Sequence, residues 1–180
     1  MQAMFSLRPL TPHDQPFLWE MLYLSLHVPD GQAAFPREII YEPNLRHYVE
    51  NWGLPGDLGL IALDEALPVG AVWLRKLPAE DRGYGFVDDQ TPEVGIALLP
   101  AYRGKGIGSA LLEALFEAAK EIYPAISLSV SIDNPARRLY ERMGFTPVSQ
   151  EGDSLTMLKH LGKQQNETFR QGTRPPGPAK

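Results

Sequence analysis

Apolar side chains recur along this chain at two spacings, which predict where helices and strands lie. Residues 126–132 alternate strictly, with isoleucine, leucine or valine at every second position and serine between them. This period of two is typical of a strand with one polar face. Just upstream the spacing is three or four, as the buried face of a helix requires, and the apolar positions are Ile107, Leu111, Leu115, Ala118 and Ile122. This part of the chain therefore predicts a helix followed by a strand.

The rest of the chain divides by the same reasoning. A helix start is predicted at Thr11, because a threonine N-cap is followed by Pro12 at the first helical position and by Asp14 in the first turn. The other predicted elements are a strand around Phe5 and Leu7, a helix at about 43–52, strands at 58–63, 69–74 and 94–99, and a final strand pair between 146 and 158. Residues 78–92 are predicted to form a loop or a loose hairpin arm. We expect a single domain over residues 1–160.

A basic, glycine-dense turn separates the strand at 94–99 from the helix that begins near Ile107. It contains Arg103, Gly104, Lys105, Gly106 and Gly108. Free backbone N–H groups converge at the start of a helix, where the helix dipole also favours negative charge. Glycine lets the main chain approach phosphate oxygens closely, and the two basic side chains add charge. The turn is therefore predicted to bind a pyrophosphate.

Two well-known glycine patterns fit this turn poorly. A P-loop requires Gly-Lys-Ser/Thr, which the chain does not contain, so a P-loop NTPase is excluded. The dinucleotide fingerprint is nearly met by Gly104 and Gly106, with Ser109 at the third glycine position and Asp133 after the next strand. That turn normally follows its strand at once, whereas four residues intervene here. A dinucleotide-binding oxidoreductase remains the weaker alternative.

A third pattern, Arg/Gln-x-x-Gly-x-Gly/Ala, is met by Arg103, Gly106 and Gly108. Here the chain resembles the GNAT superfamily of acetyl-CoA-dependent acyltransferases, including the proline before the turn. A second element of that family, Asn–Ala–Tyr–Gly-Phe, is similar to residues 134–145. The resemblance is specific over residues 93–146 and covers 4–159 in outline.

The resemblance implies a fold and a cosubstrate. The fold would be α/β, with a central mixed, mostly antiparallel sheet of six to seven strands, helices on both faces, and fourth and fifth strands that splay apart. Acetyl-CoA would enter that wedge without a metal. The residues expected to bind it are Ile96, Ala97, Leu98, Arg103, Gly104, Lys105, Gly106, Ile107, Gly108, Ser109, Asn134 and Arg137. Asn134 also has an ordinary interpretation, since it precedes a proline at a helix start.

The resemblance also implies two catalytic residues. Glu93 begins the strand that leads to the glycine turn and would act as the base through a water molecule, with Asp88, Asp89 and Tyr84 as reserve candidates. Tyr140 would protonate the departing thiolate, and backbone N–H groups around 96–98 would stabilise the oxyanion. Glu93 could instead be an exposed residue at the end of a strand, and Tyr140 could instead be a packing residue on its helix.

Composition narrows the remaining possibilities. The 180 residues include no cysteine and carry a net charge of −5, which argues against thiolate metal sites and against bulk binding of nucleic acid. No segment is apolar enough to span a membrane, and the start of the sequence does not resemble a secretion signal, so we expect a cytoplasmic protein. Residues 161–180 are polar and rich in proline and glycine, which predicts a flexible tail. The protein would be a monomer or a homodimer.

The sequence therefore predicts an N-acetyltransferase that moves the acetyl group of acetyl-CoA to a primary amine of a small molecule or a peptide, within a ternary complex. A negative field is expected at the acceptor side and would favour cationic amines. The acidic residues concerned are Glu38, Glu42, Glu50, Glu80, Asp81, Asp88, Asp89 and Glu93. A catalytically silent module that only binds CoA is the main alternative.

Overall fold

Seven strands form one sheet in the computed structural model, which describes residues 5–162. The strands are β1 (Phe5–Pro9), β2 (Leu58–Asp64), β3 (Leu67–Arg75), β4 (Glu93–Leu98), β5 (Ala125–Ser131), β6 (Thr146–Glu151) and β7 (Ser154–His160). The helices are α1 (Gln15–Ser25), α2 (Pro43–Arg46), α3 (Ile107–Ala119) and α4 (Ala136–Arg142), and short 3-10 helices cover Pro12–Asp14, Arg37–Tyr41, Ala79–Asp81 and Pro100–Tyr102.

The strand order in the sheet is β1-β2-β3-β4-β5-β7-β6. Every neighbouring pair is antiparallel except β4 and β5, which are parallel and are connected through α3. The mixed, mostly antiparallel sheet that the resemblance implied is therefore confirmed, with seven strands.

Two apolar cores lie on opposite faces of this sheet. Val72 and Leu74 of β3 pack with α3 on one face, while Ala71 and Trp73 pack with α1 on the other. Because side chains of a strand alternate between faces, β3 is buried on both and reads as a nearly continuous apolar run. Ala97 of β4 belongs to the α1 face, so the same alternation places Glu93 there too.

The parallel strands β4 and β5 meet at one end only. Their register contains a single pair, Glu93 with Ser127, and the Ser127 N–H donates to the carbonyl of Pro92 at 3.0 Å. Beyond this pair no ladder connects the strands, so they diverge toward the carboxyl end of β4. The expected splay is present, and its narrow end lies at Glu93.

The second predicted helix is wrong in its length. Instead of spanning about 43–52, α2 ends after one turn at Arg46. The guanidinium of Arg75 on β3 donates to the carbonyls of His47 and Glu50, at 3.0 and 2.6 Å, and to that of Asn51. These carbonyl groups therefore accept hydrogen bonds from Arg75 rather than from a following helical turn. Asn51 also has a φ of 54°, which is not a helical value. A residue on a distant strand therefore ends α2.

Two finer predictions also need correction. On α3, Ala118 and Ile122 are exposed, whereas Leu112 and Ala119 are buried, because the helix ends at Ala119 and the buried face shifts by one position. On β5, the serine face is not uniformly polar and exposed. Ser127 is fully buried and donates its hydroxyl to the Gly85 carbonyl at 2.7 Å, because the 78–92 loop covers that face.

The other predicted elements are confirmed, including the first strand, the helix start at Thr11, and the final strand pair. The 78–92 segment is a loop that contains one 3-10 turn. The predicted tail lies almost entirely outside the described residues, which end at 162. Within residues 5–162, no helix is long and apolar enough to cross a membrane.

Candidate active site

The glycine turn leaves open space above its backbone. Gly104 and Gly106 have φ angles of 71° and 82°, in the left-handed region that favours glycine, and a β-carbon at either would meet no atom within 4 Å. Gly106 is the N-cap of α3 and accepts the N–H of Ala110 at 3.1 Å. The N–H groups of residues 107–109 therefore have no partner within the helix and point out of its start. This arrangement can receive an anionic group.

The side chains around the turn hold it in place and keep it basic. The Tyr102 hydroxyl donates to Asp64 at 2.8 Å, and the Lys105 ammonium lies 5.0 Å from the centre of the Tyr102 ring. Arg103 and Lys105 are exposed. Gly108 is packed instead, since a β-carbon there would lie 3.3 Å from Leu139 of α4. Gly104 and Gly106 therefore leave room for a ligand, whereas Gly108 allows α3 and α4 to pack closely.

The backbone of β4 offers donors where β4 and β5 part. Leu99 donates its N–H to Val69 at 2.8 Å, so by the alternation of an antiparallel ladder the N–H of Ala97 also points toward β3. Ile96 and Leu98 then direct their N–H and C=O groups toward the gap. Ile96, Ala97 and Leu98 were all expected to offer N–H groups to the ligand. The N–H of Ala97 instead faces β3 within the sheet.

Glu93 is buried at the narrow end of the gap, with 3% of its surface exposed. Its Oε1 accepts a hydrogen bond from the Tyr48 hydroxyl at 3.0 Å and another from the Gly85 N–H at 2.6 Å. Burial raises the pKa of Glu93 above its usual range, although both hydrogen bonds act in the opposite direction. A raised pKa makes an ionised carboxylate a stronger proton acceptor.

Two glycines in the 78–92 loop make this burial possible. A β-carbon at Gly83 would collide with the Tyr48 hydroxyl and with both carboxylate oxygens of Glu93. A β-carbon at Gly85 would lie 2.7 Å from the backbone of Leu128 on β5. The loop can therefore lie directly on Glu93 and β5 only because both residues lack side chains.

Contacts with the α2 region fasten this loop. Tyr48 accepts the N–H of Tyr84 at 2.8 Å, the side-chain amide of Asn44 donates to the Tyr84 hydroxyl, and the Nδ1 of His47 lies 2.9 Å from an oxygen of Asp81. Burial raises the pKa of Tyr48, so its hydroxyl stays protonated and donates to Glu93. The base candidate is thus surrounded by a polar network.

Tyr140 lies on α4 in the core beside α3. It is 9% exposed, and its ring packs edge-on against Phe145, with 6.1 Å between the ring centres. Burial raises its pKa to about 12, so the hydroxyl is protonated at neutral pH. Only the protonated hydroxyl can donate a proton to the thiolate. The contact with Phe145 also agrees with the alternative, in which Tyr140 is a packing residue.

Asn134 and Arg137 stand beside a cleft of about 420 Å³ at the end of β5. The Oδ1 of Asn134 accepts the N–H of Ala136 at 2.9 Å, which is the capping role that an asparagine at this position often has. The guanidinium of Arg137 donates to Glu141 at 2.8 Å. Arg138 is exposed at the same cleft.

The structure thus separates the base candidates, because Asp88, Asp89 and Tyr84 are exposed and only Glu93 is buried. Sequence reasoning missed the residues that hold Glu93, above all Tyr48, which is 45 residues away in sequence. The one available signal was the Gly-Tyr-Gly at 83–85 within an acidic loop. Among residues 5–162, no three histidine, aspartate or glutamate side chains cluster as a metal site requires.

Comparison with known proteins places this geometry in a family. Residues 19–145 match the acetyltransferase (GNAT) family. A spermine/spermidine N(1)-acetyltransferase from Bacillus subtilis is 31% identical over 137 residues, which cover 68% of this chain and 78% of that enzyme. An N-alpha-acetyltransferase from Sulfurisphaera tokodaii is 48% identical over 58 residues, which cover 31% of this chain and only 35% of that enzyme.

The fold has close counterparts among solved structures. A putative acetyltransferase from Salmonella typhimurium, solved with acetyl-CoA, superposes with a TM-score of 0.64 at 20% identity and covers 89% of this chain and 96% of its own. Such a likeness concerns the fold, whereas the match over residues 19–145 concerns the sequence. The chain belongs to the GNAT acetyltransferase family.

Proposed function

We propose that this protein transfers the acetyl group of acetyl-CoA to a primary amine, by direct attack of the amine while both substrates are bound. The observation that carries the proposal is the position of Glu93. It is a buried carboxyl group at the point where β4 and β5 part, on the strand that leads into the glycine turn. A proton acceptor therefore begins the six-residue strand β4, which leads through the 3-10 turn at Pro100–Tyr102 into the anion site.

The residues around the gap fit the coenzyme. Arg103, Gly104, Lys105, Gly106, Ile107, Gly108 and Ser109 would hold the pyrophosphate through backbone N–H groups and positive charge. Ile96 and Leu98 would bond the pantetheine arm, as a neighbouring strand does, and Asn134 and Arg137 would line its other side. The Salmonella protein of similar fold, solved with acetyl-CoA, supports this assignment. The chemistry needs no metal.

Each proposed step uses a group of this chain. Glu93 takes a proton from the ammonium form of the acceptor by way of a water molecule, and the neutral nitrogen then attacks the thioester carbonyl carbon. The N–H groups at the free edge of β4 stabilise the resulting oxyanion. When the carbon–sulfur bond breaks, the Tyr140 hydroxyl protonates the thiolate and regains a proton from the attacking nitrogen, which loses its second proton as the amide forms. The products are the N-acetylated amine and CoA, and the proton released overall is the one that Glu93 holds.

We propose a cationic amine as the acceptor, either a small molecule or a peptide. The contacts of Asn44 with Tyr84 and of His47 with Asp81 bring the start of α2 beside the 78–92 loop. Glu42, Glu80, Asp88 and Asp89 are exposed in these two segments, and they outnumber the exposed Arg46 and Arg82. Glu93 does not belong to this negative surface because it is buried. The name of the Bacillus relative points to polyamines, and that of the archaeal relative to amino termini.

Thermal unfolding with and without ligand tests the proposed coenzyme site. Acetyl-CoA and CoA should raise the melting temperature, whereas NADH and ATP should not, because a ligand at about 100 times its Kd adds about 2.7 kcal/mol to the free energy of unfolding. Stabilisation by NADH without stabilisation by CoA would overturn the proposal.

A further inference from the structure

Arg75 and Glu93 are a buried arginine and a buried glutamate that lie opposite each other in the sheet. They are register partners on the antiparallel strands β3 and β4, and only 5% and 3% of their surfaces are exposed. Side chains of register partners lie on the same face with their β-carbons about 4.5–5.5 Å apart, a distance that the long side chain of an arginine can span. Within residues 5–162, however, Arg75 forms its ion pair with Asp57 and not with Glu93.

The hydrogen bonds of Arg75 account for all of its donors. Its Nε and Nη2 donate to the two oxygens of Asp57, at 3.0 and 2.6 Å. Its Nη1 and Nη2 also donate to three backbone carbonyls in the segment 47–51. These five hydrogen bonds equal the number of N–H groups that the side chain of an arginine has, so none is left for Glu93.

Asp57 is the anionic partner in this arrangement, and its own turn holds it in place. Its Oδ2 accepts the N–H groups of Gly53 and Leu54 at 3.0 and 2.9 Å, and its side chain is only 4% exposed. The ring of Trp52 lies 5.4 Å from the Cζ of Arg75. Hydrogen bonds between ionised groups are strong, so the positive charge stays beside Asp57.

A guanidinium bonded to Glu93 would change the chemistry of that carboxylate. A carboxyl group beside an arginine has a pKa that is lower by about one to three pH units, which makes it a weaker proton acceptor. In this structure burial raises the pKa of Glu93, while hydrogen bonds from Gly85 and Tyr48 and the charge of His47 offset part of that effect. A proton acceptor in this position therefore benefits when Arg75 is held elsewhere.

The groups on the other elements around Glu93 have partners of their own. β5 contributes Ser127, whose hydroxyl bonds the Gly85 carbonyl. The remaining titratable or charged side chains pair as follows: Tyr84 with Asn44, Asp81 with His47, and Glu20 of α1 with Arg37. Arg75 is thus the group whose release would alter Glu93 most directly.

We propose that Asp57 is a positioning residue that holds the Arg75 guanidinium away from Glu93. Arg75 then supports the base indirectly, because its bonds to segment 47–51 fix the backbone around Tyr48, whose hydroxyl donates to Glu93. With Asp57 in place, the arginine orders the site without neutralising its base. The inference rests on the proposed function, because it assumes that Glu93 accepts the proton.

Asp57→Asn releases Arg75 and keeps the turn. The amide oxygen can still accept the N–H groups of Gly53 and Leu54, whereas the amide nitrogen is a donor that faces the donating Nε of Arg75. Glu93 is then the carboxylate directly across the sheet from the freed guanidinium.

A carbon-13 NMR titration of the glutamate carboxyl groups measures the result without any acceptor, with the Glu93 signal assigned from its loss in Glu93→Gln. The pKa of Glu93 should be lower in Asp57→Asn by about one pH unit or more. A purely structural role predicts the opposite sign, because a loosened segment 47–51 would lose the Tyr48 hydrogen bond and raise that pKa. An unchanged or higher pKa in Asp57→Asn would overturn the proposal.

Asp14→Asn is the matched control. Asp14 also bonds an arginine twice, Arg8 on β1, and also accepts a backbone N–H, that of Thr11. Two strands separate β1 from β4, so this variant should leave the pKa of Glu93 unchanged.

A double variant, Asp57→Asn with Arg75→Gln, removes both charges and leaves no unpaired ion at the site. The pKa of Glu93 should return to its wild-type value, because the guanidinium is gone. A lowered pKa that persists in the double variant would show that Arg75 is not its cause. If Asp57→Asn alone does not fold, the comparison of wild type with the double variant decides, and a difference of one pH unit or more would overturn the proposal.

Kinetics with an accepted amine supply the second measurement. In Asp57→Asn the rising limb of kcat/KM should move to lower pH and kcat should fall about tenfold, because the base is weaker, whereas Asp14→Asn should match the wild type. A limb that does not move would contradict the inference. If the wild type acetylates no amine, the proposed function fails, while the carbon-13 titration still decides whether Asp57 keeps Arg75 from Glu93.

Discussion

At the scale of single residues, Glu93 combines its proposed catalytic role with a cost in stability. Its carboxyl group is buried, one oxygen accepts two hydrogen bonds, and the other accepts none from any residue within 5–162. Burial favours the neutral form and so raises the pKa, which is useful for a base but opposes ionisation in the folded protein. Tyr48 and Gly85 limit this cost by stabilising the charged form.

Glu93→Gln should therefore change the dependence of stability on pH. A carboxyl group whose pKa is higher in the folded state binds its proton more tightly there, so its contribution to stability is full below the unfolded-state pKa and is lost as pH rises through the folded-state pKa. The melting temperature of Glu93→Gln relative to the wild type should thus be higher at pH 8 than at pH 4. A difference that is constant across this range would show that Glu93 ionises as freely in the fold as in the unfolded chain.

Tyr48→Phe should move the pH profile of catalysis in a defined direction. The Tyr48 hydroxyl bonds the charged carboxylate and lowers the pKa of Glu93, so its removal raises that pKa. The rising limb of kcat/KM should shift to higher pH. The free energy of unfolding should fall by about 1–3 kcal/mol, because the hydroxyl both donates to Glu93 and accepts the N–H of Tyr84. A profile with an unmoved limb would mean that Tyr48 does not act on the base. Tyr23→Phe, whose hydroxyl bonds the Phe35 carbonyl away from Glu93, is the matched control.

At the scale of elements, local pattern predicted most of the fold. The serine alternation of β5, the helical spacing of α3 and the glycine turn between β4 and α3 depend on neighbours in sequence, so the sequence alone identified them. The length of α2 depends on Arg75, about 25 residues away, and the burial of Glu93 depends on Tyr48 and on two glycines that admit a loop. Such long-range contacts leave no periodic signal, and for this reason the surroundings of Glu93 were not predicted.

The glycine turn allows a prediction with a matched control. Gly106→Ala and Gly152→Ala both place a methyl group at positive φ, 82° and 56°, where no atom lies within 4 Å. Each should cost about 1–2 kcal/mol of stability through backbone strain alone. Only Gly106→Ala should also weaken the stabilisation by acetyl-CoA, because Gly152 lies in the turn between β6 and β7. Equal stabilisation of both variants by the coenzyme, measured by thermal unfolding, would place the pyrophosphate elsewhere.

At the scale of the whole molecule, charge is distributed according to the two proposed substrates. The protein has a net charge of −5, yet the turn before α3 exposes Arg103 and Lys105, while the loop region beside α2 exposes acidic groups. An anionic coenzyme and a cationic amine would thus meet opposite fields on the two sides of the sheet. The two apolar cores hold these sides apart and fix the gap between β4 and β5 that joins them.

This distribution predicts a salt effect. For cationic primary amines kcat/KM should fall as ionic strength rises, because the Debye length shortens from about 10 Å at 0.1 M salt to about 3 Å at 1 M. Neutral amines of similar size should react more slowly at low salt and show little dependence. Equal values of kcat/KM for both classes at every salt concentration would remove the electrostatic basis for a cationic acceptor.

The most direct test of the account is acetyl transfer itself. Wild-type protein and Glu93→Gln are incubated with acetyl-CoA and a panel of primary amines and peptides, and both the acetylated product and the free CoA thiol are measured. The account predicts equal amounts of the two products with the wild type. With Glu93→Gln, it predicts that kcat falls by about 10²-fold while the affinity for acetyl-CoA stays unchanged. Tight binding of acetyl-CoA without acetylation of any amine, or full activity in Glu93→Gln, would contradict it.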